Sequence, residues 1–199
     1  YLAKGGSYKH MFLLFSAVFF ILYILLRHLR FGFIPEKKEK GQKPNLLYVL
    51  RDRKYIMMVI MMLIYVGVEA GYCFYEKQYF IVTVKSEQLG AAALSIFWVA
   101  MFISRILSSM ILGHEGILIK VSSLGMFFSL LLLLIIPNAY LKMIFSGAFG
   151  FFCGPMWPTI FALSAKQQPR FSGTASSFIV LSGSLGGMLF SPVFGLIEL

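Results

Sequence analysis

Apolar residues in this chain come in long runs, broken by short polar or basic stretches, with neither a period-two nor a sustained heptad pattern. A bilayer span needs about 20 apolar residues, with a range of about 17–25. Six stretches reach or approach that length: Met11–Leu26, Tyr55–Tyr75, Leu89–Leu112, Ile117–Ile136, Met143–Ala165 and Phe171–Ile197. The first is short, and Lys9 and Arg27 can snorkel from its two ends. The pattern predicts an all-α protein, a polytopic membrane helix bundle with about six transmembrane helices. The fourth stretch, rich in leucine (LLLLII), reads as peripheral and lipid-facing. The fifth (GAFGFFCGPMWPT) and sixth (SGSLGGMLFSPVFG) are predicted to be broken by glycine and proline. Such interruptions persist where neighbouring helices or a cavity satisfy the freed backbone groups.

Composition agrees with this reading. The chain has 199 residues, 59% hydrophobic and only 13% charged, unlike an ordinary soluble domain. It begins at Tyr1 with no visible signal peptide and stops at Leu199 beside an apolar run, which reads as a fragment with helices missing on both sides. The net charge of +10 raises the question of a nucleic-acid partner, but its distribution answers it. With six spans, eleven lysines and arginines fall on one side, nine of them in Arg27–Lys54, and five on the other. The positive-inside rule puts the richer side in the cytoplasm. Topology thus accounts for the charge without nucleic acid. Residues 27–54 read as a basic cytoplasmic linker, within which LLYVLRDRKY is either a solvated connector or a short surface helix.

The candidate chemistry lies where charge interrupts the apolar runs. Glu69 sits within YVGVEAGY and Arg105 within FWVAMFISRILSS. Ionisable groups at membrane depth are costly and usually functional. Tyr65, Glu69 and Tyr72 follow i, i+4, i+7 spacing and share a helix face. That face suits a polyhydroxylated ligand or a carboxylate that binds H⁺ or Na⁺; the alternatives are a structural hydrogen bond to a neighbouring helix and a headgroup-level carboxylate. Trp98 and Arg105, seven apart, share a face with Ser108 and Ser109, readable as an aromatic platform closed by a cation or as lipid-facing packing and snorkelling. From the rise per residue, Glu69 and Trp98 each lie roughly 21 Å from the inner edge, and Arg105 about 10 Å from it. A direct Glu69–Arg105 ion pair is therefore not expected. Trp157, between Pro155 and Pro158, reads as lining a cavity or as structural. Gly150/Gly154 and Gly183/Gly187 read as close-packing pairs. Cys73, Cys153 and the three histidines form no metal or disulfide pattern. No motif of a hydrolase, metalloprotease, phosphate loop or dinucleotide fold is found, so neither an enzyme nor a cofactor is expected.

YVGVEAGY, AAALSIFWVAMFISRILSS, GPMWPTIFAL and GSLGGMLFSPVFG together resemble the major facilitator superfamily, and within it the fucose:proton symporters and sodium–glucose sugar porters. The resemblance spans most of Met57–Gly195. It implies helices six to eleven of a twelve-helix fold. Residues 1–26 would end the N-terminal half, 27–54 would link the halves, and 55–199 would form most of the C-terminal half. The implied partners are the bilayer, a small-molecule solute, and the missing N-terminal half and last helix of the same polypeptide. The implied function is alternating-access transport of a small polar solute, a sugar, coupled to H⁺ or Na⁺, across a plasma membrane. By position, Glu69 would face the central cavity, and Trp98 and Arg105 would match the Trp and Arg of the eighth helix. Two places depart from that group: Tyr75 stands where a Trp is common, and Gly113–Gly116 replace an acid–Arg pair. The rival readings are an efflux or facilitative transporter of the same superfamily and a multi-span scaffold, receptor or membrane enzyme.

Overall fold

The computed structural model describes residues 20, 21, 24, 51–111 and 113–197. Residues Tyr1–Gln42 form one unit, of which Phe20, Ile21 and Ile24 are helical, and Lys43–Leu199 form another. The rest of the first stretch, and nearly all of the basic linker with its candidate surface helix, lie outside the described residues. Arg53 and Lys54, expected in the linker, instead open a helix.

All regular elements among the described residues are helical: α1 Arg53–Val84, α2 Glu87–Ser109, α3 Glu115–Ile135, α4 Ala139–Cys153, α5 Met156–Gln167 and α6 Ser172–Ile197, with a 3-10 turn at Pro169–Phe171. Counting α4 and α5 as one, five helices are long and apolar enough to cross a membrane. Polar side chains fix their ends. Asp52 caps α1 by accepting from Lys54 N at 2.9 Å, and Ser86 caps α2 through Leu89 N. Asn138 caps α4 through Tyr140 N and Leu141 N. Each supplies an acceptor to the free N–H groups of a helix start.

Two features differ from the expected spans. Helix α1 continues past Tyr75 to Val84, 32 residues in all, because nothing in FYEKQYFIVTV breaks a helix; Lys85, in the left-handed region, ends it. Helix α6 is unbroken through its glycines, with Pro192 inside it. The expected break does occur between α4 and α5, at Gly154–Pro155, where proline has no N–H to give. Pro158 falls in the first turn of α5 and is harmless there.

The bundle is built on two intimate pairings, α1 with α6 and α2 with α4. Both depend on missing side chains. A Cβ at Gly186 would lie 2.0 Å from the Leu63 carbonyl, and one at Gly150 would lie 2.3 Å from that of Phe97. Helix α3 packs on α4 and α5 and buries only Ser122, Ser129 and Leu133; its many exposed leucines fit the peripheral position expected. The core joins Tyr55, Met62 and Tyr65 to Phe97, Met101, Phe149 and the α5–α6 side chains around Ile160 and Ile179. From the contact of Tyr79 with the Leu133 carbonyl toward the start of α1, α1 and α3 part. Between them lies a cleft of about 610 Å³ lined by groups such as Met57, Ile64, Met126 and Leu130, with Phe149 and Cys153 behind.

Candidate functional site

One face of α1 carries the polar groups that enter the bundle. At helical spacing it runs Tyr65, Glu69, Tyr72, Glu76, each three or four residues from the next. Tyr65 is buried, and its hydroxyl lies 3.1 Å from the Cys153 carbonyl and within hydrogen-bond reach of the Glu69 carboxylate. Glu69 is half-buried. Arg105 acts on it electrostatically, but the side-chain ion pairs among the described residues are Lys77–Glu87 and Lys166–Glu115. Glu69 and Arg105 thus make no ion pair, in keeping with their difference in depth.

Tyr72 turns away from Glu69. Its hydroxyl donates to Glu76 Oε1 at 2.9 Å, and its ring sits 4.5 Å from that of Phe149 and 5.3 Å from that of Phe97. Trp98 is 47% exposed and meets Phe97 edge-on at 5.3 Å, while Arg105 and Ser109 are exposed on the same side of α2. Ser108 does not share that side: it is buried and donates to the Arg105 carbonyl. Trp157 is half-buried and stacks on Phe161 at 5.2 Å, 8° from parallel. It therefore belongs to the packing of α5 rather than to the Glu69 cluster.

The residues missed from the sequence are Glu76, Ser146 and Lys142. The apolar pattern ends the second span at Tyr75 and leaves Glu76 outside it. In the fold it is 3% exposed, with Ser146 of α4 against its Oε1. Lys142, expected in an outer loop, is buried one turn before Ser146. It donates to the Tyr79 hydroxyl at 2.7 Å and lies 4.5 Å above that ring. The available signal was the continued spacing of Glu69, Tyr72 and Glu76 on α1, facing Lys142 and Ser146 at i, i+4 on α4.

At the other end, Asp52 accepts from Gln167 Nε2 at 2.9 Å and Gln168 Nε2 at 3.0 Å, tying the start of α1 to the end of α5. The Gln167 hydrogen bond, with the others made to it, holds the Asp52 carboxyl below the usual carboxylate range despite some desolvation. Glu115, in the loop that departs from the sugar-porter pattern, pairs with Lys166 of α5.

A buried polar face thus runs along an otherwise apolar, membrane-length helix, packed in a bundle of two matched helix pairs. The sequence model of the Major Facilitator Superfamily matches residues 1–191. The chain belongs to the major facilitator superfamily. It is therefore an integral, multi-pass membrane protein of a transporter family. Searches of curated proteins and of solved structures returned no significant match.

Proposed function

We propose that this superfamily member carries a small polar solute, a sugar, by alternating access with H⁺ or Na⁺ cotransport across the plasma membrane, and that Glu69 is the coupling or hydroxyl-binding group. The observation that carries this reading is Glu69 itself: a half-buried carboxylate beside the Tyr65 hydroxyl and within the field of Arg105. A carboxylate whose neighbour is a neutral hydroxyl keeps acceptor capacity for a solute hydroxyl or an ion. A cation nearby but not paired lets its charge change without breaking a salt bridge. Trp98 and Arg105 flank the same space from α2 and supply an apolar platform and a donor fork, both suited to a sugar ring. Tyr72 supports the face from below its second carboxylate, and Trp157 stiffens α5 behind it.

The same reading gives the cleft between α1 and α3 an occupant. An inverted repeat that exchanges α1 with α4–α5 and α2 with α6 turns the α1–α6 pairing into the α4–α2 pairing, the two most intimate in the bundle. It then turns the seat of α3 on α4 into a seat along α1, where the apolar cleft lies. A last helix of the same polypeptide, implied by the resemblance, fits there.

The test is Glu69→Gln in the full-length protein in proteoliposomes. Accumulation of sugar against its gradient, driven by pH or Na⁺, is lost, while binding of the solute by thermal shift, or its exchange, remains measurable. Accumulation at the wild-type level in this variant overturns the coupling role. Failure of every sugar to stabilise the wild-type protein overturns the solute class.

A further inference from the structure

Glu76 is not used by the solute reading, and its surroundings are unusual. It is 3% exposed, at the meeting point of three helices. Tyr72 donates to its Oε1 at 2.9 Å, and Ser146 Oγ of α4 lies against the same oxygen. Ser146 Oγ is also 3.1 Å from the Ala93 carbonyl of α2. Glu76 Oε2 is enclosed and has no hydrogen-bond partner. Helical rise puts Glu76 roughly 13 Å below the Lys85 turn and Ser146 about 10 Å inside α4, so both lie in the apolar layer.

The charged and titratable groups around it leave its charge unbalanced. On α1, Lys77 points outward and pairs with Glu87 of α2 at 2.6 Å. Cys73 and Glu69 lie on the turns below, and Tyr79 on the turn above is engaged by Lys142. On α4, Lys142 is the nearest cation along the helix, yet it makes no ion pair with Glu76 within 4.0 Å among the described residues. The α2 residues facing it, Ala93 and Phe97, do not titrate.

Ser146 has one proton and two acceptors within reach, the Glu76 carboxylate and the Ala93 carbonyl. When Glu76 is ionised, the negative oxygen takes that proton, since a charge-assisted hydrogen bond is the stronger. When Glu76 is neutral, the advantage disappears and the Ser146 proton can go to Ala93. We propose that Glu76, Tyr72 and Ser146 form a proton-binding site in which protonation of Glu76 shifts the Ser146 hydroxyl from α1 to the α2 backbone. The step balances simply: a proton from water forms an O–H bond at Oε2, the open acceptor, and the carboxylate charge goes from −1 to zero. The reverse step releases the proton to water. Protonation thereby weakens the tie of α4 to α1 and strengthens its tie to α2. The inference rests on the membrane placement of α1, and not on the sugar or on Glu69.

The test is pH-difference infrared spectroscopy of the full-length protein in proteoliposomes, read at the carboxylic C=O stretch. Glu69 and the surface carboxylates contribute bands of their own, so the reading is by difference: one component of the band that grows on acidification is expected in the wild type and in Glu69→Gln and is missing from Glu76→Gln. Changing Na⁺ at constant pH leaves it unaltered. Ser146→Ala keeps the band but moves its midpoint by about one pH unit, through loss of a hydrogen bond to a charged group. An acidification difference spectrum that Glu76→Gln leaves unchanged overturns the proposal, as does a Glu76-dependent component that Na⁺ removes at constant pH. If Glu76→Gln does not fold, Ser146→Ala decides: an unmoved midpoint, or no titrating band at all, overturns it.

Discussion

Single residues show how far spacing alone carries. Tyr65, Glu69 and Tyr72 were placed on one face by counting, and the helix keeps them there. What counting could not supply was the partner of each hydroxyl. Tyr72 sits one turn from both carboxylates, and the choice of Glu76 over Glu69 is made by Ser146 on another helix. Asp52 is a simpler case with a sharper expectation. It caps α1 and accepts from both Gln167 and Gln168, so Asp52→Ala removes a cap worth about 1 kcal/mol together with the tie to α5. Its carboxyl is held below the ordinary range in the folded state. The stabilisation is therefore present above the unfolded value, about 3.9, and is lost as pH falls through the folded value. Thermal melts of wild type and Asp52→Ala should differ by a constant gap between neutral and mildly acidic pH, and the gap should shrink below about pH 4. A gap that stays constant to the lowest pH would show that Asp52 acts through packing rather than charge.

At the scale of helices, among the described residues, the apolar runs match the observed helices in order but poorly in their ends. The apolar run of the second stretch ends at Tyr75, with Glu76 and Lys77 next in the chain. The helix continues because Lys77 points out to Glu87 while Glu76 turns into the bundle, and sequence does not say which way a side chain faces at a boundary. Glycine carried a mixed signal in the same way. Gly and Pro predicted breaks in both late spans, and only Gly154–Pro155 is one, because there proline follows directly and the chain must turn. The glycines of α6 are instead contact points. Gly186 is the closest of them, with no room for a Cβ against the Leu63 carbonyl. Gly186→Ala should force α1 and α6 apart and cost about 1–3 kcal/mol or more as an overpacked contact. Gly173→Ala, in the first turn of α6 with nothing within 4 Å of its Cβ, should be neutral or slightly stabilising. Fluorescence-detected melts of the two variants check this, and equal melting points would mean that the α1–α6 seam yields more easily than its backbone contact implies.

For the molecule as a whole, orientation is the property that charge predicts and packing must respect. The inner side is assigned from Arg27–Lys54, Lys166 and Arg170. Packing qualifies that count in one place: Lys142 is a buried donor to Tyr79 and not a loop cation, so the outer side is poorer in free positive charge than its sequence suggests and the bias is stronger. The turn between α1 and α2 and the start of α4 then face outward, and the turn before α3 faces inward. Three exposed positions report on this without disturbing a cap or a hydrogen bond among those described: Gln88, Tyr140 and Gly116. In the full-length protein with Cys73 and Cys153 replaced by alanine, a membrane-impermeant maleimide should label Gln88→Cys and Tyr140→Cys in intact cells. It should label Gly116→Cys only after permeabilisation. The inverse pattern would place the basic linker outside. The sequence of polar groups down α1, from Glu76 to Glu69, would then run from the cytoplasm outward, and the Glu76 site would meet protons from the inner side first.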